Sequence, residues 1–508
     1  MTPASVTWFA AHEFRLAWRD WIAMLAASNR RRAGAVIAGV IVFLGVMHVI
    51  AYVSVGAHAN VGADAGASVL VIVSAIVLLA WCLMVSQAME SVTRAFYSRS
   101  DLELILSSPV KTRSLFAVRI CTIAFSAMAM ALLIAGPFAN VLIVLGGWRW
   151  LAIYGVLAAM GASAAALAVS LTVALFRAIG PRRTRFVAQV TAAVIGAIFV
   201  IGLQVAAIYS YNSLSRMSVL FSDATVSAAP DPASILYLPA RAILGDGGAL
   251  AILLLGGLTL LATAIAVFAP RFGDYTLAAS GASNGTKQRS TGARPFGPAS
   301  PARALRRKEW ALLRRDPWLM SQSLMQLLYL VPPALLLARN FSGDGAGLFV
   351  LVPVLVMAAG QLAGGLAWLA ISGEDAPDLV ATAPVPPGFV MRAKVDAVLR
   401  AVTIIFAPFV LVLGLVAPTQ AAATALFALV AAASSTAIQF WFRTQARRSL
   451  FRRRHTSSRV ATFAEAFSSI AWAGTAALAA YGSWAALVAA ALALMVLGVA
   501  KLMSPSRS

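Results

Sequence analysis

The sequence predicts an all-α polytopic membrane protein of about twelve transmembrane helices, arranged as two six-helix repeats. Of its 508 residues, 61% are hydrophobic and only 11% are charged, whereas soluble domains carry roughly a quarter charged residues. Apolar segments long enough to cross a bilayer recur along the whole chain. A pattern of acidic residues, leucine and proline also occurs once in each half, which indicates an internal duplication.

Twelve segments satisfy the length that a membrane span requires. A hydrocarbon core of about 30 Å needs about 20 apolar residues per helix. Unpaired backbone groups are costly in lipid, so helices are the expected spanning form. The predicted spans are residues 33–55, 67–89, 117–145, 151–176, 187–209, 249–268, 320–338, 347–371, 395–416, 421–442, 461–481 and 484–503.

The distribution of Lys and Arg predicts the orientation. With the N-terminus placed in the cytoplasm, only four of the 40 cations lie outside. The positive-inside rule therefore puts both termini in the cytoplasm, and we expect the chain in the cell's inner (plasma) membrane. The four outside cations are Arg149, Arg216, Arg241 and Arg339.

Composition divides the chain near its midpoint. The first half is predicted to span residues 1–268 and the second half residues 305–508, with a flexible cytoplasmic linker at residues 269–304 that is rich in Gly, Ser, Pro and Arg. Residues 210–248 form the one sizeable outside loop.

Each half begins with a short amphipathic segment ahead of its first span. Residues 6–25 contain Glu13-Phe14-Arg15-Leu16, which matches Glu309-Trp310-Ala311-Leu312 in residues 305–318. Apolar and tryptophan side chains on one helical face are typical of a helix that lies in the headgroup layer. The alternative is an ordinary cytosolic lead-in to the first span.

The loops 90–116 and 372–392 carry the repeated acidic pattern. The first reads Asp101-Leu102-Glu103-Leu104 and continues to Pro109-Val110. The second reads Ala376-Pro377-Asp378-Leu379 and continues to Pro384-Val385. A cation, Arg119 or Lys394, follows each proline after ten residues. Solvated loops would explain the charge but not the equal spacing, so the pattern favours docking of a partner, with Glu374 and Asp375 adding acidic charge in the second loop.

The two amphipathic segments, the two acidic loops and the six spans per half resemble the permeases of type-2 ABC exporters. In that family the loop between spans two and three carries a coupling helix that seats in a cytosolic ATPase. The resemblance implies that this chain is a fused, complete permease, served by a separate ATPase in two copies per chain. The implied docking residues are Asp101, Glu103, Leu104, Pro109, Asp375, Asp378, Leu379 and Pro384.

Sites for chemistry are not evident in the sequence. A phosphate-binding loop needs Gly-x-x-x-x-Gly-Lys-Ser/Thr, and the nearest string, residues 281–287, has the wrong spacing. The four histidines have no ligand spacing. We therefore expect no catalytic residue, metal or cofactor in this chain, with ATP used by the partner. The cations lie in short loops, which indicates contact with anionic lipid at the inner leaflet and excludes a nucleic-acid partner.

Two other functions stay open. An ion-gradient-driven secondary transporter should carry an acid deep in the membrane, but Glu90, Asp396 and Glu465 fall near the inside ends of their spans. Gln204 and Gln361 could face a translocation path, although helix-helix hydrogen bonding is the simpler interpretation of such residues. A non-transporting membrane scaffold is the third possibility.

Overall fold

A computed structural model shows that the described part of the chain is almost entirely helical. The structure describes residues 30–62, 66–97, 112–211, 217–220, 222–275, 300–315, 346–372, 386–442 and 459–502, with isolated positions elsewhere. Within these ranges there is no strand. Two compact units divide the chain, Met1–Arg289 and Ser290–Ser508, and the division falls inside the predicted linker.

The first unit contains six long helices. They are α1 (Arg30–Val55), α2 (Ala67–Tyr97), α3 (Thr112–Gly146), α4 (Ala152–Ile179), α5 (Pro181–Tyr211) and α6 (Gly247–Phe268). Tight turns separate α3 from α4 and α4 from α5. Gly147 and Gly180 occupy them with φ of 86° and 75°, a backbone conformation that glycine adopts without strain.

The second unit contains one amphipathic helix and five long apolar helices. They are α7 (Pro301–Arg315), α8 (Ala346–Ser372), α9 (Pro387–Val416), α10 (Pro418–Trp441), α11 (Arg459–Ala480) and α12 (Ala485–Leu502). Helix α7 occupies the place of the predicted amphipathic segment 305–318. The predicted span 320–338 and most of the segment 6–25 lie outside the described residues.

Nine helices of the described part are long and apolar enough to cross a membrane. They correspond to nine of the twelve predicted spans, so the described chain has the character of a multi-pass membrane protein. Helix α11 coincides with the predicted span 461–481, and Phe43–His58 forms a shorter apolar stretch at the first span. Neither belongs to the nine. Large apolar side chains such as Val53, Leu415 and Leu487 are exposed on the helices, as expected for surfaces that face lipid.

Several helices run further than hydropathy alone predicted. Helix α2 continues past residue 89 to Tyr97, where Arg94 and Glu90 form an ion pair of 3.2 Å one turn apart. Helix α9 begins at Pro387, inside the predicted loop 372–392, because proline is tolerated in the first turn of a helix. The predicted linker is also helical at both ends, in 269–275 and from Pro301 onward. Polar turns extend these helices, and a hydropathy window does not detect them.

Both units use the same pairs of helices in packing. In the first unit, α2 packs against α3, α4 and α5, and α4 packs against α3 and α5. In the second unit, α8 packs against α9, α10 and α11, and α10 packs against α9 and α11. The last helices differ, because α6 packs on α4 whereas α12 packs mainly on α11.

Small residues allow the helices to approach closely. Gly257 on α6 faces the backbone of Ala159 on α4, and Gly161 on α4 faces the carbonyl oxygen of Ala124 on α3. Without a hydrophobic driving force between helices in lipid, such close backbone contacts provide much of the association energy. The buried core of the first unit accordingly includes many alanines of α4.

One end of the first unit gathers three connections. Arg149, after α3, donates to the carbonyl oxygen of Ala59, after α1, at 2.7 Å. Asp246 caps α6 by accepting from the Ala249 N–H at 3.0 Å, and Arg241 pairs with it. The Ala249 N–H and the Arg241 guanidinium together hold the pKa of this carboxyl below its ordinary value. These contacts lie in the region predicted to face outside.

Substitution of Gly257 tests the close α4–α6 contact. A Cβ at this position would lie 2.7 Å from the carbonyl oxygen of Ala159. Because this oxygen belongs to the backbone of α4, it could move away only if the helix shifted or distorted. We expect Gly257→Ala to destabilise the protein by about 1–3 kcal/mol, measured as a lower thermal unfolding temperature in detergent. Gly256→Ala is the matched control, because a Cβ there meets nothing within 4 Å. Equal unfolding temperatures for the two variants would contradict the contact.

Candidate functional site

The candidate site consists of two interhelical segments and the residues that fix their ends. Residues 98–111 lie between the described parts of α2 and α3, and residues 373–386 lie between those of α8 and α9. The repeated sequence pattern relates the two segments by an offset of 275 residues, from Pro109 to Pro384 and from Arg119 to Lys394. The two segments therefore occupy equivalent places in the sequence of their units.

The structure describes few of the predicted docking residues. Pro384 lies in a bend and is exposed. Thr382 and Pro386, on either side of it, are also exposed. The other predicted docking residues, Asp101, Glu103, Leu104, Pro109, Asp375, Asp378 and Leu379, lie outside the described residues.

Aromatic packing fixes the ends of the first segment. Phe96 at the end of α2 lies 5.4 Å from Phe272 and 6.5 Å from Phe116 between ring centroids. Phe116 and Phe272 themselves lie 5.0 Å apart and are fully buried. The Tyr97 hydroxyl donates to the Pro181 carbonyl oxygen at 2.5 Å. Helices α2, α3, α5 and the end of α6 are thereby joined at this end of the unit.

A buried ion pair fixes the ends of the second segment. Lys394, two turns into α9, donates from Nζ to Oε1 and Oε2 of Glu309 on α7 at 3.0 and 3.1 Å. The same ammonium donates to the carbonyl oxygen of Ala370, in the last turn of α8, at 2.5 Å. Glu309 is 1% exposed and Lys394 is 8% exposed. A charge so fully removed from water is tolerated only when it is paired and hydrogen-bonded.

The two segments share one contact at equivalent positions. Arg119 Nη1 donates to the carbonyl oxygen of Ala95 at 3.5 Å, across 24 residues of sequence. Lys394 donates to Ala370, also across 24 residues. In each unit, a cation near the start of the helix after the segment therefore contacts backbone near the end of the helix before it. This shared contact supports the correspondence that the sequence repeat predicted.

The two glutamines predicted for a translocation path lie on separate units. Gln204 is half-buried on α5, and Gln361 is exposed on α8. Interhelical hydrogen bonding does occur at other polar residues of the spans, as for Asn140, which accepts from the Tyr154 hydroxyl at 2.5 Å and contacts His48 at 3.3 Å.

The sequence analysis did not predict a line of polar side chains between helices of the second unit. We call it the polar seam, and it consists of Ser435, Gln439, Glu465, Ser468 and Ser469. Gln439 on α10 donates to Oε2 of Glu465 on α11 at 2.6 Å. One turn further along α11, Ser469 Oγ lies 3.3 Å from Ser435 Oγ. The buried Ser468 Oγ has no hydrogen-bond partner among the described residues. Gly364 on α8 leaves the space that the Glu465 carboxylate occupies.

The sequence does contain a signal for this seam. Glu465, Ser468, Ser469 and Trp472 recur at helical spacing and therefore share one face of α11. Position along the span alone makes Glu465 an end residue, whereas the face that it shares with two serines indicates an interhelical contact.

The described residues contain no group of His, Cys, Asp and Glu that could hold a metal ion. Comparison with known proteins adds no identity, because no protein-family model, curated protein or solved structure matches the chain. The function must therefore be argued from the residues and contacts described above.

A double-mutant comparison tests the seat of Glu465, that is, the space beside Gly364 in which the Glu465 carboxylate contacts Gln439. A Cβ at Gly364 would collide with the Glu465 carboxylate, so Gly364→Ala should push this group away from Gln439. We expect a loss of about 1–3 kcal/mol, measured by thermal unfolding in detergent. In a Glu465→Ala background the same change should cost little. Gly365→Ala is the control, because a Cβ there meets nothing within 4 Å. An equal cost of Gly364→Ala in both backgrounds would contradict the seat.

Proposed function

We propose that this chain is the membrane-spanning permease subunit of an ATP-binding-cassette exporter. It has twelve spans in two six-span repeats, with both termini in the cytoplasm of the inner membrane. A separate cytosolic ATPase, in two copies per chain, docks on residues 98–111 and 373–386. The chain itself binds no cofactor, and ATP is used by the partner. The basic residues 182–185, which lie in the first turns of α5, and the basic segment 447–454 contact anionic lipid at the inner leaflet.

The observation that carries this proposal is the equivalence of the two segments. Each carries the pattern of acid, leucine and proline, follows the second predicted span of its half, and has buried contacts on the helices at both of its ends. A segment that only connected two spans would need neither a repeated pattern nor such contacts, since surface loops tolerate change. Two equally placed segments fit a partner that is present in two copies and applies force to both.

The mechanism that follows is alternating access. Closure of the two ATPase subunits on ATP would displace both segments. Because the ends of each segment are joined to several helices, the displacement would tilt each bundle rather than deform a loop. The substrate class does not follow from the described contacts; amphipathic molecules are the expectation from the family resemblance.

Charge reversal in the first segment tests docking. We expect Asp101→Lys with Glu103→Lys to abolish most recovery of an ABC-type ATPase when the tagged chain is purified in mild detergent, because two acidic contacts become basic. Insertion and unfolding temperature should stay unchanged. Asp231→Lys is the control, since Asp231 is an exposed acid of the loop 210–248, which is predicted to lie on the other face. Full ATPase recovery with the double variant would contradict docking at this segment. Absence of an ATPase from the wild-type preparation would contradict the proposed function.

One observation favours a second candidate, the ion-gradient-driven secondary transporter. Glu465 lies among apolar helices with Gln439 as its hydrogen-bond partner. No Lys, Arg or His occurs on the helices α8 and α10 that pack against it. An ionisable residue in such surroundings is often an ion-binding group.

Carboxyl labelling distinguishes the two candidates. Dicyclohexylcarbodiimide attacks protonated carboxyls in apolar surroundings, and mass spectrometry locates the adduct. A carrier must bind and release its ion at Glu465, so labelling should change between mildly acidic and mildly alkaline buffer, or on addition of Na⁺, and Glu465→Gln should remove it. Labelling that is absent or insensitive to both conditions would leave Glu465 as a structural partner of Gln439 and exclude the carrier.

A further inference from the structure

The contact of Glu309, Lys394 and Ala370 joins three helices at one point. Glu309 belongs to the amphipathic helix α7, Lys394 to α9, and Ala370 to the last turn of α8. Helices α8 and α9 are those that border residues 373–386. We propose that Glu309 and Lys394 are positioning residues, which clamp both ends of this segment to α7 so that the three helix ends move as one body.

The donor chemistry of lysine suits a clamp. An ammonium group has three N–H donors, and the described contacts of Lys394 include three acceptors: the two carboxylate oxygens of Glu309 and the carbonyl oxygen of Ala370. A carboxylate acceptor strengthens two of these bonds, because charge-assisted bonds are roughly twice as strong as neutral ones. The backbone acceptor is the important addition, since it ties the end of α8 itself rather than a flexible side chain.

Stability alone does not explain the pair. Desolvation of a buried ion pair offsets most of its attraction, and apolar residues of similar volume often stabilise a protein equally well. An apolar contact would allow α7 to slide, whereas three directed bonds fix α7 against α8 and α9. The first unit independently supports this role for the cation, because Arg119 contacts Ala95 at the equivalent place.

A second ion pair on the same helix supplies a matched control. Asp396 and Arg400 lie one turn apart on α9 with Oδ1 to Nε at 2.9 Å, and Arg306 of α7 approaches Asp396 at 3.7 Å. Both side chains of the Asp396–Arg400 pair are substantially exposed, at 35% and 52%. Exposed pairs of this kind contribute little. Their removal also breaks the exposed contact of Arg306 with Asp396 between α7 and α9 but leaves the bonds of Lys394 intact, so it separates the buried clamp from exposed ion pairing between the same helices.

The test compares four variants of the full chain. Glu309→Gln with Lys394→Met removes both charges, so neither partner is left as an unpaired buried ion. Lys394→Arg keeps the cation and its donors, as Arg119 does in the first unit. Glu309→Lys with Lys394→Glu keeps an ion pair but places a carboxylate, which cannot donate, beside the carbonyl oxygen of Ala370. Asp396→Asn with Arg400→Gln is the control.

Amide hydrogen exchange of the purified chain in detergent is the first readout. The neutral double variant and the charge swap should raise exchange on the order of tenfold in α7, in the last turn of α8 and in the first two turns of α9, with α10 and α11 unchanged. Lys394→Arg and the control should exchange like the wild type. The clamp is overturned if the neutral pair and the swap both match the control. Should the neutral pair fail to insert, the swap alone decides, because its ion pair is retained.

The second readout depends on the proposed function. With the ATPase co-purified, the neutral pair should keep normal ATPase recovery but lose most of the change in ATP turnover that the chain confers on its partner, and Lys394→Arg should restore it. Turnover unchanged from the control would overturn the positioning role. If the wild-type chain recovers no ATPase, the proposed function fails, while the exchange readout still decides whether the clamp exists.

Discussion

The hydrogen bonds of the Lys394 ammonium group hold the second unit together where its helices border residues 373–386. A cation with 8% exposure is tolerated only when it is paired and hydrogen-bonded, and the described acceptors of Lys394 lie on two other helices, α7 and α8. Its pairing therefore holds α7 against the last turn of α8 and the early turns of α9. In the first unit, the corresponding region is held largely by stacked aromatic rings around Phe96 and Phe272. Aromatic packing is strong but less directional, so the two ends reach the same arrangement by different physical means.

The two units also differ at the polar seam, where Glu465 contacts Gln439. Gly364 gives room to the carboxylate of Glu465, whereas the position related to it by the same 275-residue offset holds Met89, which is fully buried in the first unit. Six residues separate Gly364 from Ala370, about 9 Å along α8. Helix α8 thus contacts two polar sites in succession, one at its end and one about a turn and a half deeper. At the depth that corresponds to Gly364, the described part of α2 instead buries an apolar side chain, that of Met89.

The sequence predicted the helices well because their cause is local. Runs of apolar residues such as those of α4 and α8 are long enough to span a bilayer whatever they pack against, and backbone chemistry leaves only the helix. The repeat also makes Lys394 equivalent to Arg119 and Glu309 equivalent to Glu13. The pairing of Lys394 with Glu309 was not predictable, because 85 residues separate them and the third partner is a backbone carbonyl, which has no sequence signature. The contact of Glu465 with Gln439 was not predictable either. A sequence shows how far a residue lies from the end of its helix, but not which residue of another helix it contacts. The docking residues, the orientation and the partner stay predictions.

Proline inside the helix that follows each segment gives the clamp a mechanical meaning. Pro137 interrupts α3 and Pro408 interrupts α9, and each removes one backbone hydrogen bond, so the helix can bend there at low cost. From Pro387 to Pro408 the helix extends about 32 Å, at 1.5 Å per residue. By this geometry, a bend of about 10° at Pro408 displaces the first turn of α9 by about 5–6 Å, roughly the pitch of one helical turn. Lys394 lies about 21 Å from Pro408 along the helix, so α7 and the end of α8 would be carried through about two-thirds of that displacement.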